Sequence, residues 1–332
     1  MNDIITLAHG EGGRLYRELV EQVFLPAFDN PILTELGDSA VCPAFGERLA
    51  LTTDSFVVRP RFFPGGDIGR LAVSGTVNDL AVSGARPLYL TCAMILEAGL
   101  PIAELRRICD SMAAAAHDAG VAIVTGDTKV VEKGACDGVY INTAGVGLFR
   151  REPLPQKIRP GDVILVSGSV GDHGLAVLAA REKLDFRPQL VSDAAPLNGL
   201  IDALLQVVPE TCALRDATRG GLAAVVNEWA DASRVTVAVE ESAVPVQPQV
   251  RSACHLLGLD PLHAANEGKV VAAVPERFAD AALAALRDHP LGKDAAIIGR
   301  AESGRPQAVL ITAIGARRIL ALPEGEQLPR IC

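Results

Sequence analysis

The segment Asp67–Ser83 constrains the fold more than any other. Ile68, Leu71, Ala72, Val73, Val77, Leu80, Ala81 and Val82 put apolar side chains on every side of its helical period. A surface helix shows one apolar stripe, whereas a helix that is apolar all round is buried. Strand-like runs that could pack around it are Arg48–Thr53, Leu88–Leu96, Val121–Thr125, Val139–Phe149, Val163–Ser167, Val235–Val239, Val270–Val274 and Ala295–Ile298. Between them, amphipathic helical patterns cover 101–119, 172–183, 193–206, 219–232, 247–257 and 276–289, the first opening on Pro101. Strands and helices are interspersed without strict alternation, so a mixed α/β (α+β) fold is expected rather than a doubly wound one.

The chain has 332 residues, too many for one ordinary core, and nearly half are apolar with few aromatics. The seam expected between two domains is Arg150–Pro160, which holds three prolines and no periodicity. The expected division is an N-terminal domain at 1–152, a second domain at 153–306 and a C-terminal segment at 307–332. Within that last segment, Pro323–Cys332 reads as a flexible tail.

Net charge is −9 and no basic cluster exceeds a pair, which argues against nucleic-acid binding. No apolar stretch reaches membrane-spanning length, and the N-terminus lacks a signal peptide's basic start. Seven cysteines without a CxxC pair suit reduced thiols, so a cytoplasmic protein is expected. Six of them are expected inside strand or helix patterns, and the seventh is Cys332.

Several motifs could carry chemistry. His9–Gly13 (HGEGG) precedes a helical pattern, where backbone N–H groups and the helix dipole favour an anion, though an ordinary loop is the commoner outcome. Neither a Walker-type GxxxxGK[ST] nor a GxGxxG at a strand–helix junction occurs. Asp38, Asp54, Asp79 and Asp127 are expected in glycine-rich or strand-end settings, as Mg²⁺-triphosphate sites require, and also as turn-formers would be. Asp79 stands out because Asn78-Asp79 lies inside the buried helix and needs a partner there. Lys129 and Glu267 could move protons or could be ordinary ion-pair partners. Ser167–Leu178 (SGSVGDHGLAVL) and Asp216–Leu222 (DATRGGL) are anion-friendly turns, and His173 in the first reads by default as a polar residue at a helix start. The closing Pro-Arg-Ile-Cys puts a thiol at the end of a Pro-rich arm, an arrangement suited to a carrier.

Together with TDSFVV, FFPGGDIGRLAVSGTVNDLAVSGARP, VTGDTKVV, ANEGK and HPLGKDAAIIG, these motifs resemble the HypE carbamoyl dehydratases of [NiFe]-hydrogenase maturation. That family lies within the aminoimidazole-ribonucleotide (AIR) synthetase-like ATP-binding superfamily. The resemblance runs from residue 8 to residue 332, with Glu11 and Ser39 departing from the family pattern. It implies a two-domain fold whose N-terminal domains form an intersubunit β-barrel in a homodimer. It also implies ATP at His9, Gly10, Gly12 and Gly13, with Thr76, Asn78, Asp79, Gly126 and Asn142 lining the nucleotide site. Mg²⁺ would sit on Asp38, Asp54, Asp79 and Asp127. Glu267 and Lys129 would serve proton transfer, with Cys332 as the carbamoyl carrier. The implied partners are a HypF-type carbamoyltransferase and a HypC–HypD cyanide acceptor. Two rival readings are a small-molecule enzyme of the same superfamily, such as selenophosphate synthetase, and a non-catalytic assembly scaffold.

Overall fold

The structure, a computed structural model, describes residues 4–10, 18–35, 48–321, 328 and 331–332. Gly12, Gly13, Asp38, Cys42 and most of the expected tail lie outside the described residues.

The all-round apolar segment forms helix α1 (Ile68–Val82). Asp67 caps it, its carboxylate accepting the N–H groups of Gly69 and Arg70. The helix lies on one face of a four-stranded sheet made of β1 (Leu49–Phe56), β2 (Arg86–Glu97), β3 (Ala122–Val131) and β4 (Val139–Leu148). The sheet order is β1-β4-β2-β3, with β2–β3 parallel and the other pairs antiparallel. A second helix, α2 (Ile102–Ala119), starts directly after Pro101 and packs on α1. Alternation along the strands decides which side chains meet α1. Thr52, Asp54 and Phe56 of β1 and Thr143 and Gly145 of β4 point to the helix. The opposite face carries Leu49, Leu51 and Ile95, exposed to 58, 75 and 41 %.

The second sheet has seven strands: β5 (Val163–Val166), β6 (Ala213–Asp216), β7 (Thr236–Glu240), β8 (Val270–Val274), β9 (Ala296–Glu302), β10 (Gln307–Ile311) and β11 (Arg317–Ile319). Their order is β11-β10-β7-β9-β5-β8-β6, and only β10–β7 is parallel. Helices α3 (Asp172–Glu182), α4 (Asn198–Val207), α5 (Gly221–Ser233), α6 (Pro248–Leu257) and α7 (Ala279–Asp288) complete this unit. β5 and β8 are buried throughout, because apolar clusters fill both faces of the sheet. No helix among the described residues is long and apolar enough to cross a membrane.

Several expectations need correction. β10 and β11 belong to the second sheet, so residues 307–319 are not part of a separate C-terminal segment. β10 carries an apolar run that pairs with β7, and that pairing joins it to the domain. β3 continues past Thr125 through Gly126, Asp127 and Lys129, so those residues lie within a strand and not at its end. Cys136 and Cys212 lie in loops and not in strand or helix patterns. All six described cysteines are thiols. Burial raises the thiol pKa of Cys92 and Cys212 to about 12 and that of Cys254 to about 11.

Gly126 pairs with Cys92 across the parallel β2–β3 ladder, and a Cβ there would overlap the Cys92 carbonyl oxygen. Backbone cannot yield as a side chain end can, so Gly126→Ala is expected to destabilise the fold by roughly 2 kcal/mol or more. Urea unfolding would measure the change, and an unaltered midpoint would contradict this register.

Candidate active site

Where β1, α1, the end of β6 and the loop before β8 meet, four carboxyl groups converge. Asp79 on α1 accepts a hydrogen bond from Thr52 Oγ1 at 2.9 Å, and Asp54 lies one turn back along the same helix face, beside Gly75. Asp216 closes β6 and Glu267 precedes β8; they are 9 and 3 % exposed. Burial raises the pKa of Asp79, with the Asp54 charge adding to it. Asp216 is pushed up to about 7, first by burial and then by Asp79. Glu267 is raised well above the ordinary glutamate range by burial, then by Asp216, Asp193 and Asp54. Its Oε1 is buried with no hydrogen-bond partner. Like charges gathered in low dielectric disfavour ionisation, and a cation relieves them.

The loop carrying Glu267 is tightly held. The Glu267 N–H donates to Asp193 Oδ1 at 3.1 Å, and Asp193 Oδ2 accepts from Lys269 Nζ at 3.0 Å. Burial alone would raise the Asp193 pKa, but Lys269 and the Glu267 N–H bring it below the usual value. A Cβ at the intervening Gly268 would overlap the Asp193 carbonyl oxygen, so only glycine fits there. Asn266 bonds the backbone of Gly171, Ala217 and Ala264, tying both glycine-rich turns to this loop. The last residues of the chain sit nearby. Ile331 is buried, its carbonyl 2.6 Å from His173 Nε2, and an oxygen of the half-buried Cys332 accepts the Val57 N–H at 3.3 Å.

A second group of predicted residues lies elsewhere. Asp127 and Lys129 pair at 3.3 Å on β3, which is the far edge strand from β1. Three strand spacings separate the two edges, about 14 Å. Asp127 and Lys129 also project from the open face, whereas Asp54 faces α1. Asp54 and Asp127 of one chain therefore cannot share one ion. The short helical turn Leu7–Gly10 packs beside β3 and carries His9 and Gly10. His9 Nδ1 accepts the Thr6 N–H at 3.0 Å, so the neutral ring bears its proton on Nε2, which is buried with no partner. A buried donor of this kind suits an anion.

Comparison with known proteins agrees with this architecture. The family "AIR synthase related protein, N-terminal domain" matches residues 37–149, and "AIR synthase related protein, C-terminal domain" matches residues 159–311. The carbamoyl dehydratase HypE of Cupriavidus necator is 52 % identical over 99 % of this chain and 95 % of its own length. This chain belongs to the HypE family. A crystal structure of a HypE in complex with ATP superposes with a TM-score of 0.95 at 50 % identity, covering 98 % of this chain and 99 % of that one. A HypE–HypF complex gives 0.81 at 48 % identity, covering 92 and 99 %.

Two nucleotide residues implied by resemblance to the HypE family are otherwise engaged. Asn78 Nδ2 donates to Ala195 O at 3.2 Å, and Asn78 Oδ1 accepts the Leu197 N–H at 2.7 Å, joining α1 to the second unit. Thr76 Oγ1 bonds Thr143 Oγ1 at 2.5 Å inside the core. Burial on α1 turned both inward, which a helix with no polar face could not reveal. Asn142 lies on the open face of the sheet, donating to Asp54 O at 2.8 Å and Ser55 Oγ at 3.0 Å. Gly126 serves strand pairing in this chain, whatever else approaches it. Sequence reasoning assigned no role to Asp216, Asp193 or Lys269. Asp216 lies in the DATRGGL turn already singled out, but Asp193, in a loop of ordinary composition, gave no signal.

Asp79 and Asp216 are hard oxygen donors, and a divalent cation nearby would offset the burial and like charge that raise their pKa values. No group of three or more metal-ligating residues is placed to hold an ion among the described residues. Stability should report the charge strain directly. A raised folded-state pKa gives stability that is full below the unfolded value and lost as pH rises through the folded one. For Asp216 that window runs from 3.8 to about 7. Asp216→Asn should therefore raise the melting temperature of the ligand-free protein by several degrees at pH 8, with little effect near pH 4. A fluorescence melt at both pH values checks this, and an equal shift at both would contradict the charge account.

Proposed function

We infer that this chain uses ATP to dehydrate a carbamoyl group carried on Cys332, leaving a thiocyanate whose cyanide serves the iron of a [NiFe]-hydrogenase. Family membership supports the reading, and one structural observation carries it: Cys332 is seated against the unit that holds the buried carboxyl cluster. There it accepts a hydrogen bond from Val57, three residues beyond Asp54. A HypF-type carbamoyltransferase loads the thiol as –S–C(=O)–NH₂, consistent with the relative that crystallises with HypF. A HypC–HypD complex is the proposed acceptor of the cyanide.

Hydroxide is a poor leaving group, so the carboxamide oxygen must be converted before it can depart. It attacks the γ-phosphorus of ATP, ADP leaves, and one N–H proton is lost, giving –S–C(OPO₃²⁻)=NH. Loss of the second N–H proton then expels phosphate and forms –S–C≡N. Glu267 takes that second proton: its buried carboxyl is a strong base once ionised, and its free Oε1 can accept an N–H. Lys129 steadies the departing phosphate. Asp54 and Asp79 of one chain and Asp127 of the other would hold a divalent cation, which would offset the triphosphate charge. His9 and Gly10, with Gly12 and Gly13 beyond the described residues, receive the phosphates. One sulfur must visit the transferase, this site and the acceptor in turn.

The homodimer reading gains support from the sheet. Its open face exposes Leu49, Leu51 and Ile95, apolar surface that a second copy would cover. Closing two such sheets into a barrel sets the β1 edge of one protomer beside the β3 edge of its partner. The Asp54–Asp79–Asp216–Glu267 half of one chain then meets the His9–Asp127–Lys129 half of the other, so each complete site draws on both.

Two outcomes are expected. After incubation with a carbamoyltransferase, carbamoyl phosphate and ATP, the Cys332 peptide should gain a carbamoyl mass and then lose the mass of water. Cys332→Ala should abolish both changes, and a scaffold or a small-molecule enzyme would show neither in the wild type. Asp54→Asn and Lys129→Ala, each inactive alone, should recover about a quarter of the activity per chain when dissociated and reassembled together. No recovery in verified mixed dimers would contradict the shared site.

A further inference from the structure

Where the described end of the chain lies against α3, the mechanism above leaves one buried titratable group unused. His173, in the first turn of α3, is fully buried, with its ring edge-on to Phe63 at 5.4 Å. Its hydrogen bonds leave one arrangement of protons. The Ile331 carbonyl can only accept, so His173 Nε2 donates to it at 2.6 Å. Burial lowers the His173 pKa, opposed by Asp193 and the Ile331 hydrogen bond, and in the neutral ring that burial favours Nδ1 is an acceptor. Ser192 therefore donates its hydroxyl to Nδ1 at 2.8 Å, while its oxygen accepts the Ala194 N–H at 3.2 Å. Removing the tail would leave a buried N–H without its partner, an unfavourable state.

We propose that His173 is a positioning residue that latches the loaded tail in the cleft through the backbone of Ile331, one residue from the carrier thiol. The proposal rests on the dehydratase reading above and adds the element that holds the thiol in place. Two features make the latch specific. Leu328 packs beside Gly174, where a Cβ would come within 2.9 Å of Leu328 Cδ1, so the helix is pared back where the tail crosses it. Ser192 and Asp193 are adjacent in sequence: the first fixes the ring that holds Ile331, and the second holds the Glu267 N–H. One short segment thus sets the position of both the thiol and the base. Because the latch grips backbone, it works alike for a free, carbamoylated or cyanated sulfur.

The test separates docking from chemistry. His173→Phe keeps the ring's bulk and loses the donor, whereas His173→Gln can place an amide N–H near the position of Nε2. Iodoacetamide alkylation of Cys332, followed by mass spectrometry of its peptide, reads docking without turnover. His173→Phe should be alkylated on the order of tenfold faster than wild type, the shift for one hydrogen bond of about 1.4 kcal/mol, and His173→Gln should restore most of the protection. Carbamoyl loading by the transferase should be no slower than wild type in His173→Phe, while single-turnover dehydration of the loaded thiol slows by a similar factor. If His173→Phe does not fold, Ser192→Ala, which frees the ring to turn, should show the same changes in smaller measure. An unchanged alkylation rate in the folded variants overturns the latch whatever the chemistry does. Equal slowing of loading and dehydration overturns it in favour of a general structural defect. A wild type that loads but never dehydrates sinks the dehydratase reading and leaves the alkylation result to judge the latch.

Discussion

The site depends on the buried pair of Asp193 and Lys269. Lys269 gives Asp193 the counter-charge it needs to remain ionised out of water. Ionised, Asp193 has two oxygens to spend: one takes the Lys269 ammonium and the other the Glu267 N–H. That bond fixes the loop on which Glu267 stands, and Gly268 lets the two backbones approach closely enough to form it. Remove the positive charge and Asp193 joins the other carboxyls as one more group that burial drives to take up a proton.

Around that anchor the molecule concentrates negative charge at a cost to its own stability. Asp79, Asp216 and Glu267 each hold their protons more tightly than a free side chain would, first because each is buried and then because a neighbouring carboxylate adds its charge. An apolar or amide replacement would fold more easily. Such a cluster makes sense as a site completed from outside, by a cation with its nucleotide and by groups from a second protomer.

Division between two chains follows from sheet geometry. A four-stranded sheet with β1 and β3 at its edges sets residues of the two strands far apart and, here, on opposite faces. Strands that read in sequence as equivalent glycine–aspartate motifs are therefore not equivalent in space. The proposed shared site removes the distance by setting the β1 edge of one protomer beside the β3 edge of its partner, and it places the tail of each chain against its own carboxyl cluster.

Much of this was legible in the sequence. The all-round apolar character of Asp67–Ser83 identified α1, since no surface helix tolerates it, and strand runs such as Val270–Val274 were found because burial on both faces leaves an unbroken apolar string. Asp54 and Asp79 could be nominated from their settings and Glu267 only from the family resemblance, and the Asp54 charge reaches both of the others. What could not be read locally was decided by packing. β6, β10 and β11 are short, and the strands that join β6 and β10 to the sheet, β8 and β7, lie far along the chain. Asn78 and Thr76 carry the same polar signal as Asp79, yet their positions around α1 turn them to backbone and core. Asp193, Lys269 and His173 gain their roles only from neighbours brought from 19 to 158 residues away. Local sequence encodes periodicity and chemistry. Which oxygen faces which proton is set by the register of strands and the meeting of loops, and those exist only once the chain has folded.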